Sequence, residues 1–356
     1  MRFAIGTGIL TALAAAATAA PQQPADGEAE ALMRRLGKLV RSVEEAIDRA
    51  DAVDVAAQAR MLEIELAPRI ALAVPQATPE ARSDVPWHVD EVRRQARALA
   101  AAAAAEGTHG GGASAAPAAR QPDALLQREA LWRLRQACAA CHLQLRADDG
   151  TGSFWPGGGN AVFGRISLRA EDGSPRERAD HVVVFVDRLP AEPAPPGLEV
   201  AIVQRDRTFT PDLLVVAVGT TVEFPNRDSV FHNIFSLSKP QPFDLKLYGP
   251  GESRAQLLAQ PGLVKIYCNI HPEMAAHVLV LNNPHGVRVT PSGFYCLTEL
   301  PDGAFDLRTW SEFGGGLESP VQLGGATALR LDLTMQEQQR RLPHRNKYGR
   351  PYREKY

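Results

Sequence analysis

Along the chain the hydrophobic pattern changes character once, near the middle. From Ala29 to about Leu145 apolar residues recur at helical spacing, and Met33, Leu36, Val40, Val43 and Ile47 alternate three- and four-residue steps, which puts them on one stripe of a helix. A second helix is predicted from about Val53 to Ala71, with a break at Pro75 to Pro79. A third should follow Pro86, run through Val89, Val92, Ala96 and Leu99, and stop before the glycines at 107–112. A fourth starts after Pro122, so the first half reads as an up-and-down four-helix bundle. Residues 148–160 hold five glycines and a proline, the composition of a linker. Beyond Ala161 the helical period is lost. Short runs such as VFGRISL, HVVVFV, LLVVAV, TTVEF, LVKIY, VLVL, GFYCL and ALRLDL stand between Gly, Pro and Asp clusters, which is an all-β pattern. Asp172 and Gly173 mark a turn between two of these runs. The predicted class is therefore multidomain α + β, with helices first and strands after.

Length and composition narrow this picture. At 356 residues the chain is long enough for two or three cores. Its 39 basic and 41 acidic residues leave a net charge of −2, which gives no reason to expect a nucleic-acid partner. Residues 1–19 have the form of a secretory signal: Arg2, an apolar stretch from Ile5 to Ala17, then the small residues Ala17, Thr18, Ala19 and Ala20. Cleavage after Ala19 is expected, with a periplasmic location and no membrane span afterwards. Residues 336–356 are polar and basic and read as a solvated tail. An exported chain with four cysteines suggests disulfides, but their placement does not. Cys138 and Cys141 lie in CAACH, Cys268 lies in CNIHPEM, and Cys296 is left as a small buried apolar residue.

CAACH sets two thiols three residues apart and an imidazole next to the second. On a helix all three project to one side, so Cys138 and Cys141 can form thioethers with haem vinyl groups while His142 reaches the iron. With this motif at the end of its last helix, the segment 26–147 resembles the cytochrome c-prime family, and Arg146, four residues beyond the haem His, also matches that family's pattern. The resemblance implies one covalent haem c and a distal position on the first helix, where Met33 is the candidate ligand. Without Met33 the iron would be five-coordinate and open to a small gas. His88 reads as structural, and His109, in a Gly-rich loop, as solvated.

In Cys268-Asn269-Ile270-His271-Pro272-Glu273-Met274 a thiolate, an imidazole and a thioether follow at three-residue intervals. These are blue-copper ligand types, lacking only a second imidazole, which His232 in FHN supplies. In GLVKIYC, Val264, Ile266 and Cys268 share one strand face, which aims the sulfur inward. With FTPDLLVVAVGTTVEFPNRD, FHN and PGLVKIYCNIHPEM, the segment 197–283 resembles the amicyanin type of cupredoxin. By position the resemblance makes His232, Cys268 and His271 the strong ligands of one copper and Met274 the weak axial one, with Asn226 and Asn233 beside them. His277 reads as a solvated residue.

The flanking segments 161–196 and 284–335 resemble the two halves of a carboxypeptidase-regulatory-like sandwich into which the copper segment is inserted, or else an extension of the copper segment's own sheets. Together these features predict an electron carrier rather than an enzyme, which passes single electrons between copper and haem. Periplasmic redox proteins are the expected partners: a dehydrogenase as donor and a cytochrome or oxidase as acceptor. Two other readings are a haem-based gas-binding protein with a redox-active copper domain and a copper enzyme resembling nitrite reductase. The latter lacks a second visible set of three His ligands.

Overall fold

The computed structural model describes residues 26–49, 51–65, 79–105, 127, 130–138, 140, 144, 159–179, 181–187, 189, 199–325, 327–338 and 344–352. The leader 1–19 lies outside them, as do Cys141, His142, Arg146, His109 and the side chain of Met33.

The first part is helical: α1 (Asp26–Asp48), α2 (Ala52–Glu65), α3 (Pro79–Ala105) and a helical stretch at 130–138. Asp51 caps α2 by accepting from the Asp54 N–H at 3.0 Å. Val43 and Ile47 of the predicted α1 stripe are buried, together with Val55, Leu62, Val92, Leu99, Leu131 and Leu134, in one apolar cluster. One helix boundary differs from the sequence reading. α3 begins at Pro79 and carries Pro86 inside it. Pro79 suits a first helical turn, where its missing N–H leaves no bond unmade. Pro86 lies on the exposed side, where water can satisfy the carbonyl that its ring frees.

The remainder is β-structure. Strands β1 (Asn160–Arg169) and β2 (Val182–Asp187) come first. Then follow β3 (Glu199–Ala201), β4 (Val203–Arg205), β5 (Thr208–Thr210), β6 (Leu213–Ala217), β7 (Thr221–Pro225), β8 (His232–Ser236), β9 (Phe243–Tyr248), β10 (Ser253–Leu257), β11 (Gly262–Cys268) and β12 (Ala275–Leu281). The chain closes with β13 (Gly286–Arg288), β14 (Phe294–Leu300), β15 (Gly303–Ser311), β16 (Glu318–Leu323), β17 (Ala328–Arg330) and β18 (Leu333–Gln336). Asp172 and Gly173 do form a tight turn, with Ala170 N–H on Ser174 O and Gly173 at φ 82°. The runs on either side of it do not pair. β1 belongs to the sheet β14-β1-β17, with β18 also on β1, whereas β2 belongs to β13-β2-β15-β16. These sheets enclose a core of inward residues that includes Val162, Ile166, Val184, Val186, Tyr295, Leu297 and Leu307. Each of β1 and β2 opens with three consecutive buried residues and then alternates buried with more open positions, so the strands are covered on both faces at their start and on one face after it.

β3–β12 build a separate core. The five-stranded sheet β6-β12-β11-β8-β9 and the three-stranded sheet β10-β7-β3 enclose Val222, Phe224, Ile234, Val264, Ile266 and Val278. The chain leaves the first pair of sheets after β2 and returns to them at β13. A smaller apolar contact of Val183, Leu213, Leu279 and Leu281 lies between the two sets of strands.

The helices bind to the strands through specific polar groups. Gln136 donates to Thr298 O at 3.2 Å and accepts from Thr298 N–H at 3.1 Å. Buried Asp84 of α3 accepts from Thr290 Oγ1, Gln144 Nε2 and Ser292 N–H at 2.6, 2.7 and 3.0 Å, and from the Ser292 hydroxyl. His88 is buried and hydrogen-bonded to Gln144, and burial lowers its imidazole below the ordinary histidine range. Cys296 packs with Phe294 against Phe163 and Ala140, and burial pushes its thiol far up.

Two side-chain environments differ from those expected. His277 is 9% exposed rather than solvated, 3.3 Å from Glu312 and edge-tilted on Trp310, because β12 is covered on its outer side by the neighbouring sheet. Part of the basic tail is less solvated than expected: His344, Asn346, Lys347 and Tyr352 are half-buried and held by the polar contacts described below, while Arg345, Tyr348, Gly349, Arg350 and Pro351 are exposed.

Candidate metal centre

Sheet geometry brings three of the predicted ligands to one end of the larger sheet. β11 runs antiparallel to β8, with Cys268 opposite Ile234, so Cys268 ends its strand near where His232 begins its own. The alternation Val264, Ile266, Cys268 holds, and all three are fully buried. After Cys268 the chain turns back at once. Cys268 N–H donates to Met274 O at 3.2 Å and Met274 N–H donates to His271 O at 3.1 Å, which closes residues 268–274 into a compact loop leading to β12. Met274 is 1% exposed and lies in the same apolar cluster as Cys268.

His232 Nδ1 is 3.7 Å from Cys268 Sγ, His271 Nδ1 is 3.6 Å from Cys268 Sγ, and the two Nδ1 atoms are 3.2 Å apart. A triangle with these edges has a point about 2.0 Å from every corner, close to the bond lengths that first-row metals make to imidazole nitrogen and thiolate. Among the described residues this is the group of His, Cys, Asp or Glu able to hold one ion. The donor set fits copper. Two imidazoles and a thiolate in a trigonal array with a thioether nearby suit Cu(I) and Cu(II) alike, whereas structural zinc prefers four strong tetrahedral donors.

The surroundings fix the donors. His232 Nε2 is 2.8 Å from Asp228 Oδ2, which leaves Nδ1 facing the centre. Asp228 is itself held by the N–H groups of Asp206 and Arg207 at 2.5 and 3.1 Å. Those two residues have φ of 54° each and form the tight connection between β4 and β5, so a left-handed turn aims two donors at one carboxylate. Burial works to raise the Asp228 carboxyl, but the bonds from Arg207, His232 and Asp206 outweigh it and hold it below the usual range. Burial also pushes the Cys268 thiol up, offset in part by the N–H groups of Asn233, Ile270 and His271. Asn226 braces the approach to His232, donating to Val230 O and accepting from Asp228 N–H, both at 2.9 Å. Asn233 O accepts from Asn269 N–H at 2.8 Å and Asn233 Nδ2 donates to Asp244 at 2.7 Å. Phe231 and Ile270, next to the two imidazole residues, are 55% and 39% exposed and give the site an apolar rim.

Sequence reasoning missed Asp228, although it stands four residues before His232, and missed the tail residues Lys347 and Tyr352. At the other predicted centre only Cys138 has a described side chain. It is half-buried against the apolar helical cluster, and burial pushes its thiol up to about 12. Cys141 and His142, with Arg146 and the side chain of Met33, lie outside the described residues.

No protein-family model matches the chain, and no curated protein aligns with it. Part of the chain is similar to solved cupredoxins and to part of a copper-containing nitrite reductase. A purple cupredoxin from Nitrosopumilus maritimus is 28% identical over 23% of this chain and 99% of its own, with a TM-score of 0.22. A copper-containing nitrite reductase from Thermus scotoductus SA-01 is 30% identical over 26% of this chain and 25% of its own, with a TM-score of 0.23. Amicyanin from Paracoccus versutus is 17% identical over 28% of this chain and 97% of its own, with a TM-score of 0.22.

Proposed function

We propose that this protein is an electron carrier with one copper held by His232, Cys268 and His271, with Met274 as a weak axial ligand, and one haem c attached at Cys138 and Cys141 with His142 as proximal ligand. The observation that carries the copper reading is the convergence of two buried imidazole Nδ1 atoms and one buried thiol within 3.7 Å of one another. Copper there would supply a one-electron couple, the soft sulfur donors favouring Cu(I) and the imidazoles accepting Cu(II). The chain's own contribution is rigidity. Cys268 is fixed by strand β11, His232 by Asp228, and His271 and Met274 by the closed loop, so both oxidation states meet the same donors. Deep burial of Cys268 keeps water and oxidants from the thiolate.

The haem part rests on CAACH and on the apolar packing of Cys138. Met33 is the proposed sixth ligand, with Arg146 beside the haem. In this reading residues 26–147 form the haem domain and 197–283 the copper domain, inserted between segments 161–196 and 284–335 of one supporting sandwich. The exposed Phe231 and Ile270 offer an apolar contact for a redox protein, and a cleaved leader at residues 1–19 would put the exchange in the periplasm. Among the described residues no helix is long and apolar enough to cross a membrane.

A spectroelectrochemical titration of the periplasmically matured protein tests this function. The expected result is two reversible one-electron steps, one bleaching a thiolate-to-copper band and one sharpening the haem bands. Absence of a reversible copper step sinks the carrier reading. Prompt carbon monoxide binding to the ferrous protein would favour the gas-binding alternative, in which Met33 leaves the iron open.

A further inference from the structure

The copper-binding loop is gripped from behind by a segment far away in sequence. Lys347 N–H donates to Asn269 Oδ1 at 3.0 Å, and its ammonium group donates to Asn233 Oδ1 and Asp244 Oδ2, each at 3.0 Å. Asn233 and Asn269 are the residues that follow the ligands His232 and Cys268, and their backbones are joined to each other at 2.8 Å. Tyr352 donates its hydroxyl to the carbonyl of Cys268 itself at 2.7 Å and lies 3.1 Å from His344 Nδ1. The His344 ring stacks on Tyr267, the residue before Cys268, with centroids 4.1 Å apart and planes 19° from parallel. Asn346 keeps the segment folded by accepting from the N–H groups of Tyr348 and Arg350. Three consecutive residues, Tyr267, Cys268 and Asn269, are thus each held by a different tail residue.

We propose that residues 344–352 act as a strap that positions the thiolate end of the copper site, and that Lys347 raises the reduction potential of that site. This rests on the copper reading. Five specific contacts to the body of the protein exceed what a solvated tail needs. Four fall on the two strand ends that supply His232 and Cys268 and one on Asp244 beside them, so a loose tail would leave the ligand loop free to flex between oxidation states. The charge has a definite sign. Lys347 is 19% exposed at its side chain and partners Asp244 from the tail side, while Lys246 partners the same carboxylate from a more open position. Removing the Lys347 cation leaves a less compensated carboxylate beside Asn233, whose N–H points at the thiolate sulfur. Added negative potential there favours Cu(II) over Cu(I). Lys347 and Tyr352 are positioning residues, since neither touches the metal donors directly.

The test uses the full chain with Lys347→Met, Lys347→Arg and Tyr352→Phe. Lys347→Met should shift the Cu(I)/Cu(II) equilibrium about tenfold toward Cu(II), equivalent to ~59 mV for one electron. Lys347→Arg, which keeps the cation, should leave the potential close to that of the parent, and Tyr352→Phe should speed copper loss to a chelator severalfold. An unchanged potential in Lys347→Met, with Lys347→Arg indistinguishable from it, would overturn the electrostatic role. Hydrogen exchange at the Asn269 amide in metal-free protein separates the strap from the copper reading. Faster exchange in Lys347→Met and Tyr352→Phe supports the strap even if copper does not bind, and unchanged exchange in both variants refutes it.

Discussion

His232 illustrates how one outer contact decides what a ligand can do. Its Nε2 is committed to Asp228 at 2.8 Å, and Asp228 is in turn committed to two backbone N–H groups, so the ring has one orientation and one free nitrogen. Asp228→Asn keeps the shape but removes the carboxylate charge, and copper affinity should fall by about 10- to 100-fold. Competition against a chelator of known affinity measures this, and a change of less than twofold would show that the carboxylate does not orient the ring. Cys268 and His271 could be picked out in the sequence because one loop carries them at fixed spacing, and His232 because FHN follows the run TTVEF. Asp228 was not legible as a partner, since an acid four residues from a histidine means nothing until a turn brings them together. Tyr352 was less so, at 84 residues from the carbonyl it binds. His277 misled for a related reason: residue alternation reports one covered face, and β12 is covered on both.

Strand β11 carries the strongest local pattern in the chain, and its alternation translates directly into packing. Ile266 is fully buried two residues from the Cys268 end, so Ile266→Ala should cost about 2–5 kcal/mol through lost burial and the cavity left behind. Denaturant unfolding of metal-free protein gives that figure, and a loss under 1 kcal/mol would mean that the two sheets close over the gap. α3 shows the opposite case. Pro86 marks a boundary by composition, yet the helix runs through it because the ring faces outward and Val85, His88 and Val92 supply an inward stripe. The helical stretch 130–138 meets the strands at Trp132, whose ring packs edge-on against His285. Burial lowers the His285 imidazole from 6.5 to about 4. The unfolded chain therefore takes up this proton first as pH falls. The His285 contribution to stability is complete above about 6.5, declines between about 6.5 and 4, and levels off below. The pH profile of the unfolding midpoint should be flatter over that window in His285→Asn than in the parent protein; an identical profile would count against a buried neutral imidazole.

At the scale of the molecule, buried hydrogen bonds tie the helical part to the strands. Asp84 alone accepts from Thr290, Ser292 and Gln144, so Asp84→Ala strands several buried donors at once and should cost about 2–4 kcal/mol. Thermal unfolding followed separately by far-ultraviolet dichroism and by the copper band should then show two transitions where the parent shows one. A single transition in the variant would mean that other contacts couple the two parts. None of this docking could be read from the sequence, which separates the two partners by some two hundred residues, whereas the change from helical to strand period near residue 160 was plain in it. The central proposal is that His232, Cys268, His271 and Met274 form a blue-copper centre. Titrating Cu(II) into the purified metal-free protein while recording its visible and electron paramagnetic resonance spectra tests that claim most directly. The account predicts one copper per chain, an intense thiolate-to-copper band in the red and a narrow copper hyperfine splitting, all abolished by Cys268→Ser. Copper bound with only weak ligand-field absorption, or a band that survives Cys268→Ser, would contradict it.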